Sequence, residues 1–179
     1  MIEQLKVAAD RGHFVVIHPD AMHELTSWRI LADRLCIENM DKRKAIGRTA
    51  KQLQTIFEKL PEATFCFDIG HARQVDPTMQ EAETFLQTFH DRLRQIHMSY
   101  VNSGSQHERL NFECVRAFQR VAHRMDEKIP IILETPVGSG DVDEEISSAE
   151  SVFSFVSGVL HNHRLANGAK STTGTEPKP

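Results

Sequence analysis

Five short apolar runs recur along this chain, and each one ends in a side chain that an apolar run should not contain. HFVVIH (13–18) ends in His18, RLCIEN (34–39) carries Glu38, TFCFDI (64–69) carries Asp68, RQIHMS (94–99) carries His97 and PIILET (130–135) carries Glu134. Rich in Val, Ile, Leu and Phe and four to six residues long, the runs read as strands buried on both faces. Between them lie helical patterns at about 21–32, 47–60, 77–91, 110–127 and 143–160, where Leu, Ile, Phe and Val return every three or four residues. Asp76-Pro77 reads as the start of the third, with Asp as cap and Pro at the first helical position. Strands alternating with helices, the strands apolar on both sides, predict an α/β domain with a parallel sheet built from βα units.

In such a sheet the five polar groups fall at one end, the end where parallel α/β folds place their sites. A single buried carboxylate costs several kcal/mol, and three gathered together repel one another. A divalent cation resolves both problems. Glu38, Asp68, His97 and Glu134 offer three carboxylates and an imidazole, an oxygen-rich set that predicts Mn²⁺ first, with Zn²⁺, Mg²⁺ or Co²⁺ as alternatives. Gly70 is expected to turn the backbone sharply after the third strand, so that His71 points back to the same mouth. His107 and Arg109, on the loop after the fourth strand, are further site candidates. Lys42, Arg43 and Lys44 read as a solvated loop from which a cation can still reach an anionic substrate.

Other candidates carry less. His161-Asn162-His163 spaces two imidazoles two apart, which does not share a helix face, so it reads as a solvated helix end. His13, His23, His90 and His123 read as surface residues, and Trp28 and Tyr100 as packing. Cys36, Cys66 and Cys114 form no CxxC pair, and the first two lie inside strands as small hydrophobes, which predicts a reducing, cytoplasmic setting. The amphipathic start MIEQLKVAADRG has no apolar signal core, and no run of 18 apolar residues predicts a membrane span. A formal charge of −4 supplies no basic field, which argues against a nucleic-acid partner. Residues 166–179 have almost nothing to bury and read as a disordered tail behind a domain spanning 1–165.

Taken together, IHP (17–19), IEN (37–39), FDIGHA (67–72), IHMSYVN (96–102) with QHERL (106–110), and LETP (133–136) resemble the xylose isomerase-like TIM-barrel superfamily, which includes sugar phosphate isomerases/epimerases and endonuclease IV. The resemblance implies one divalent metal held by Glu38, Asp68, His97 and Glu134. Glu38 and Glu134 would double as acid and base in an enediolate reaction on a sugar or sugar phosphate, and His18, His71, His107 and Arg109 would bind substrate. In the endonuclease IV pattern, which cleaves abasic DNA, more metals are used: His18 and Glu38 would match a first-metal pair, and His71 and His107 part of a third site. That pattern also expects an Asp two residues before His107, where this chain has Ser105. A third reading is a non-catalytic barrel that binds metal or a partner.

The strand ends at 18, 38, 68, 97 and 134 supply five units within 179 residues, whereas a full barrel takes about 250. The five correspond to the last five strands of the resembled barrel, which predicts a partial, five-stranded TIM barrel. Such a chain is either a fragment or pairs with itself or a partner chain that covers its open edges.

Overall fold

The computed structural model describes residues 2–126 and 128–154. Helix α1 (Ile2–Asp10) precedes strand β1 (Val15–Ile17), followed by β2 (Leu35–Glu38), α2 (Ala50–Lys59), β3 (Thr64–Asp68), α3 (Ile69–Val75) and α4 (Gln80–Thr88). The chain continues through β4 (Leu93–Met98), the two short strands β5 (Tyr100–Val101) and β6 (His107–Glu108), α5 (Phe112–Phe118), β7 (Ile131–Leu133) and α6 (Val142–Ser151). Strands β1, β2, β3, β4 and β7 pair in that order, all parallel, in a sheet curled into half a barrel. The five runs read from the sequence are these five strands. The tail, and the His161 to His163 segment, lie outside the described residues.

Strand alternation explains how the sheet sorts its side chains. On β3, Phe65 and Phe67 point to the helical side, where they meet Phe85 and Phe89 of the α4 region and Phe57 of α2 in a cluster with ring centroids 4.8–6.4 Å apart. Thr64, Cys66 and Asp68 share the opposite, inward face. All five β3 residues are buried. Full burial on both faces does not extend to β7, where Ile131 is 37% and Ile132 44% exposed. The cause is topological: β7 is an edge strand, with β4 on one side and nothing described on the other.

Three helical readings change. Residues 21–32 form no α-helix but 3₁₀ turns at Pro19–Ala21 and Leu25–Arg34. The apolar residues Leu25, Trp28 and Leu31 are spaced by three, the period of that tighter helix, and Trp28 and Leu31 are buried by it. Asp76-Pro77 ends α3 rather than opening α4: Asp76 sits in extended backbone before the proline, as the ring requires, and α4 starts at Gln80. Asp76 still caps, accepting from the backbone N–H groups of Thr78 and Glu81, each at 2.9 Å. The segment read as a helix over 110–127 is α5 followed by a separate 3₁₀ turn at Ala122–Arg124.

Candidate metal centre

The site is built at the carboxyl ends of β2, β3, β4 and β7. Donor atoms of Glu38, Asp68, His97 and Glu134 all lie within 4.8 Å of one another. His97 Nδ1 is 3.5 Å from Glu38 Oε1 and 3.0 Å from Glu134 Oε1. Asp68 is fully buried, Glu38 and His97 nearly so, and the Glu134 side chain is about a third exposed. His18 reaches Glu38 Oε2 at 3.3 Å from the open side.

Three of these groups hold a buried atom with no hydrogen bond: Glu38 Oε1, Asp68 Oδ2 and His97 Nδ1. An unpaired buried polar atom costs roughly 1–3 kcal/mol, and here three such atoms converge. The donor set therefore fits a divalent cation, which would satisfy all three at once.

The charges without a cation point the same way. Burial pushes the Glu38 carboxyl up, but His18 and His97 beside it outweigh burial and hold it at about 2. Burial, reinforced by the Glu38 charge, drives Asp68 well above the carboxylate range. Burial disfavours charge on His97, yet the flanking Glu134 and Glu38 carboxylates prevail and raise it to about 10. Burial likewise acts against Glu134, and the His97 imidazolium overrides it to lower that carboxyl. The raised His97 and Asp68 pKa values thus ease the crowding of charge that a divalent ion would neutralise.

The second histidine pair stands beside this group. His71 opens the first turn of α3, its backbone N–H donating to Asp68 Oδ1 at 2.6 Å, so Asp68 is both the strand's last residue and the helix cap. Its Nδ1 donates to the Asn39 carbonyl at 3.0 Å. His107 arrives on the β5–β6 hairpin, where Val101 pairs with His107, and its Nδ1 lies 2.8 Å from Ser99 Oγ and 3.6 Å from Glu134 Oε2. Burial lowers the His107 pKa, with the Glu134 carboxylate acting against it. Asp68, His71 and His107 form a second group of donors within 4.8 Å.

Gly70 does not make the sharp turn expected of it. Its φ is not in the left-handed region; instead a Cβ there would stand 2.5 Å from the Ser99 carbonyl oxygen and 2.8 Å from Val101 Cγ2. Glycine lets α3 pack directly on the end of β4, which carries His71 to the rim. Arg109 is not brought into the cluster: it pairs with Glu144 at 2.7 Å, and with Asp141 and Glu145 at 3.7 Å, across to α6. In the 41–44 loop, Arg43 pairs with buried Asp41 at 3.0 Å and Lys44 with Asp20. His13, His23, His90 and His123 are exposed, Trp28 is buried, and Tyr100 is half-buried beneath the Arg73 guanidinium.

Two residues that the sequence did not mark support the centre. Asn39 is fully buried and clamps Asp68 in both directions, donating to its carbonyl and accepting from its N–H, each at 2.8 Å. Its only signal was its place directly after Glu38. Glu145 is buried and accepts from Leu110 N–H at 3.0 Å and Thr135 Oγ at 2.7 Å, tying α6 to the residue that follows Glu134. A cleft of about 590 Å³ lined by Arg73, Phe112, Arg116 and Arg120 contains none of the clustered residues. Cavity size does not locate the chemistry here; the buried titratable groups do.

No family model and no curated protein matches this chain. The fold and the cluster describe an α/β half-barrel with residue groups able to hold a metal ion. Among the described residues no helix is long and apolar enough to cross a membrane.

Proposed function

We propose that the chain carries the metal centre and proton-transfer groups of an isomerase or epimerase acting on a sugar or sugar phosphate. The observation that carries this reading is the convergence of Glu38, Asp68, His97 and Glu134 at one sheet end with three buried atoms left unpaired. Held by those four side chains, a divalent metal would supply Lewis-acid polarisation of the substrate carbonyl. Glu134, ionised and partly exposed, is placed to take a proton from the neighbouring carbon. Glu38, more deeply buried and 3.5 Å from the same His97 nitrogen, is the group to return one. His18, His71 and His107 ring the opening and orient the substrate oxygens, with Ser99 fixing the His107 ring. A second copy or a partner chain would cover the open strands β1 and β7.

The test is incubation of the metal-loaded protein with a panel of ketoses and their phosphates in D₂O. Solvent deuterium entering the carbon beside the carbonyl, and lost in Glu134→Gln, is the expected result. Tight metal binding with no exchange in any substrate would refute the catalytic reading and leave a non-catalytic metal-binding barrel.

The second donor group favours one other reading. Asp68 is shared between both groups, so two ions could share it as a bridge, an arrangement suited to phosphodiester cleavage at abasic DNA. Ser105 and the absence of a basic field weigh against it. Cleavage of an abasic duplex, abolished in His107→Ala, would establish it over the isomerase.

A further inference from the structure

The strand register puts a thiol where a carboxylate would be expected. Glu38 on β2 pairs not with Asp68 but with Cys66, two residues earlier on β3, and Cys66 in turn pairs with Gln95 on β4. Asp68 pairs one tier further on, with His97. Glu38, Cys66 and His97 all face inward and are all buried, and their donor atoms lie within 4.8 Å of one another. Among the described residues, Glu38 and His97 are also two of the five with a buried side-chain polar atom that lacks a hydrogen-bond partner. The Cys66 sulfur has only weak partners: the Cys36 thiol beside it, and Gln95 Nε2 at 3.7 Å, near the outer limit for a bond to sulfur.

We propose that Cys66 is a metal ligand on the floor of the centre, which makes it a mixed nitrogen, oxygen and sulfur site that selects Zn²⁺ or Co²⁺ over Mn²⁺ and Mg²⁺. The inference rests on reading the cluster as a metal site, and it replaces the expectation of Mn²⁺. Hard ions of the Mn²⁺ and Mg²⁺ kind prefer carboxylate, carbonyl and water, whereas a thiolate beside an imidazole suits zinc and cobalt. Donors 2.0–2.3 Å from a tetrahedral ion stand about 3.5 Å apart, so donors already within 4.8 Å of one another reach that spacing with small shifts. The step is a ligation: the sulfur–metal bond forms, the S–H bond breaks, and the thiol proton passes to solvent with no change of oxidation state. Gln95, whose amide also meets His97 Nε2 at 2.7 Å, loses only a marginal contact to sulfur.

The test is Co²⁺ titration of the purified chain, read by absorption. Bound cobalt gives visible d–d bands whatever its ligands, and only thiolate ligation adds a near-ultraviolet sulfur-to-cobalt band. The chain has three cysteines, so the band is assigned by variants: it should persist in Cys36→Ser and Cys114→Ser and vanish in Cys66→Ala. Zn²⁺ preference over Mn²⁺, from competition titrations, should fall about tenfold or more in Cys66→Ala. Visible bands without the sulfur band in the wild-type protein would overturn the role of Cys66 while leaving the metal centre standing. No cobalt spectrum at all would overturn the metal centre itself. The wild-type spectrum decides between these outcomes even if the Cys66 variant folds poorly.

Discussion

Asp68→Asn should stabilise the protein in the absence of metal and destabilise it, relative to wild type, in its presence. Asp68 is fully buried, with a carboxylate oxygen within 4.8 Å of Glu38. Two full charges at that separation repel by roughly 3.5 kcal/mol at an effective dielectric near 20. The metal-free protein avoids the repulsion by keeping a proton on Asp68, and each unit of raised pKa then costs about 1.4 kcal/mol above the unfolded value. Asparagine carries neither penalty, and its side-chain oxygen can still accept from the His71 N–H that Asp68 caps at 2.6 Å. A gain of about 1–3 kcal/mol is expected with chelator present, which for a chain of this size raises the melting temperature by roughly 2–4 °C per kcal/mol. The folded pKa of this acid is raised, so the penalty is absent below the unfolded value near 4 and grows as pH rises. The advantage of the variant should therefore shrink on acidification. With metal at a thousand times its dissociation constant, the wild type gains about 4 kcal/mol, and the variant, short of one ligand, gains far less. Thermal melts of both proteins in EDTA and in excess metal should cross over. A variant that is less stable than wild type in EDTA would refute the electrostatic argument, because the carboxylate would then be an ordinary structural group.

Metal binding at pH 7 should release protons, from His97, held at about 10, and from Asp68, raised by burial. Calorimetry in buffers of different ionisation enthalpy should count at least one, with affinity rising up to about tenfold per pH unit for each proton; zero release would contradict the protonated, metal-free centre. Gly70→Ala should cost about 1–3 kcal/mol by overpacking and weaken metal binding, since its Cβ meets Ser99 O and Val101, whereas Gly140→Ala, with open space around it, should leave chelator-dependent melting unchanged. Glu145→Ala should destabilise by roughly 2–4 kcal/mol because Leu110 N–H and Thr135 Oγ both lose their acceptor. Arg109→Ala, which breaks the exposed pair with Glu144 and removes the cation 3.7 Å from buried Glu145 Oε2, should lower the melting temperature and leave metal affinity within about twofold.

The rim was legible in the sequence because a carboxylate closing an apolar run is energetically out of place, and five such endings in phase define an edge. Residue types at strand ends were enough for Glu38, Asp68, His97 and Glu134. The residues that hold them were not legible, because their roles depend on pairing across the fold. Asn39 matters through its clasp on Asp68, 29 residues away, and Glu145 through Leu110, 35 residues away. The β5–β6 hairpin that delivers His107 has two residues per strand, too few for alternation to register. Helix α3 was missed for a related reason: FDIGHA reads as one strand and its turn, yet Asp68 ends the strand and caps the helix in the same residue. Gly70, read as a turn, is instead a place where two elements touch, and only the partner, Ser99, reveals that.

Burial of the four rim groups is graded across the sheet, and the gradient follows from its openness. Asp68, on the central strand β3, is wholly inaccessible; Glu38 and His97 on the flanking strands are nearly so; Glu134, just past edge strand β7, is about a third exposed. A closed barrel has no edge strand to create this asymmetry. Under the proposed function, the exposed flank at β7, with Ile131 and Ile132 uncovered beside Glu134, is where a substrate would meet the centre and also where a covering chain would dock. The two roles compete for the same edge. A cover that pairs with β7 would bury Glu134, desolvate its carboxylate and bring its pKa up toward the values that suit a general base near neutrality. Under the proposed function, assembly across β7 would then tune the proton-transfer group as well as hide the apolar edge.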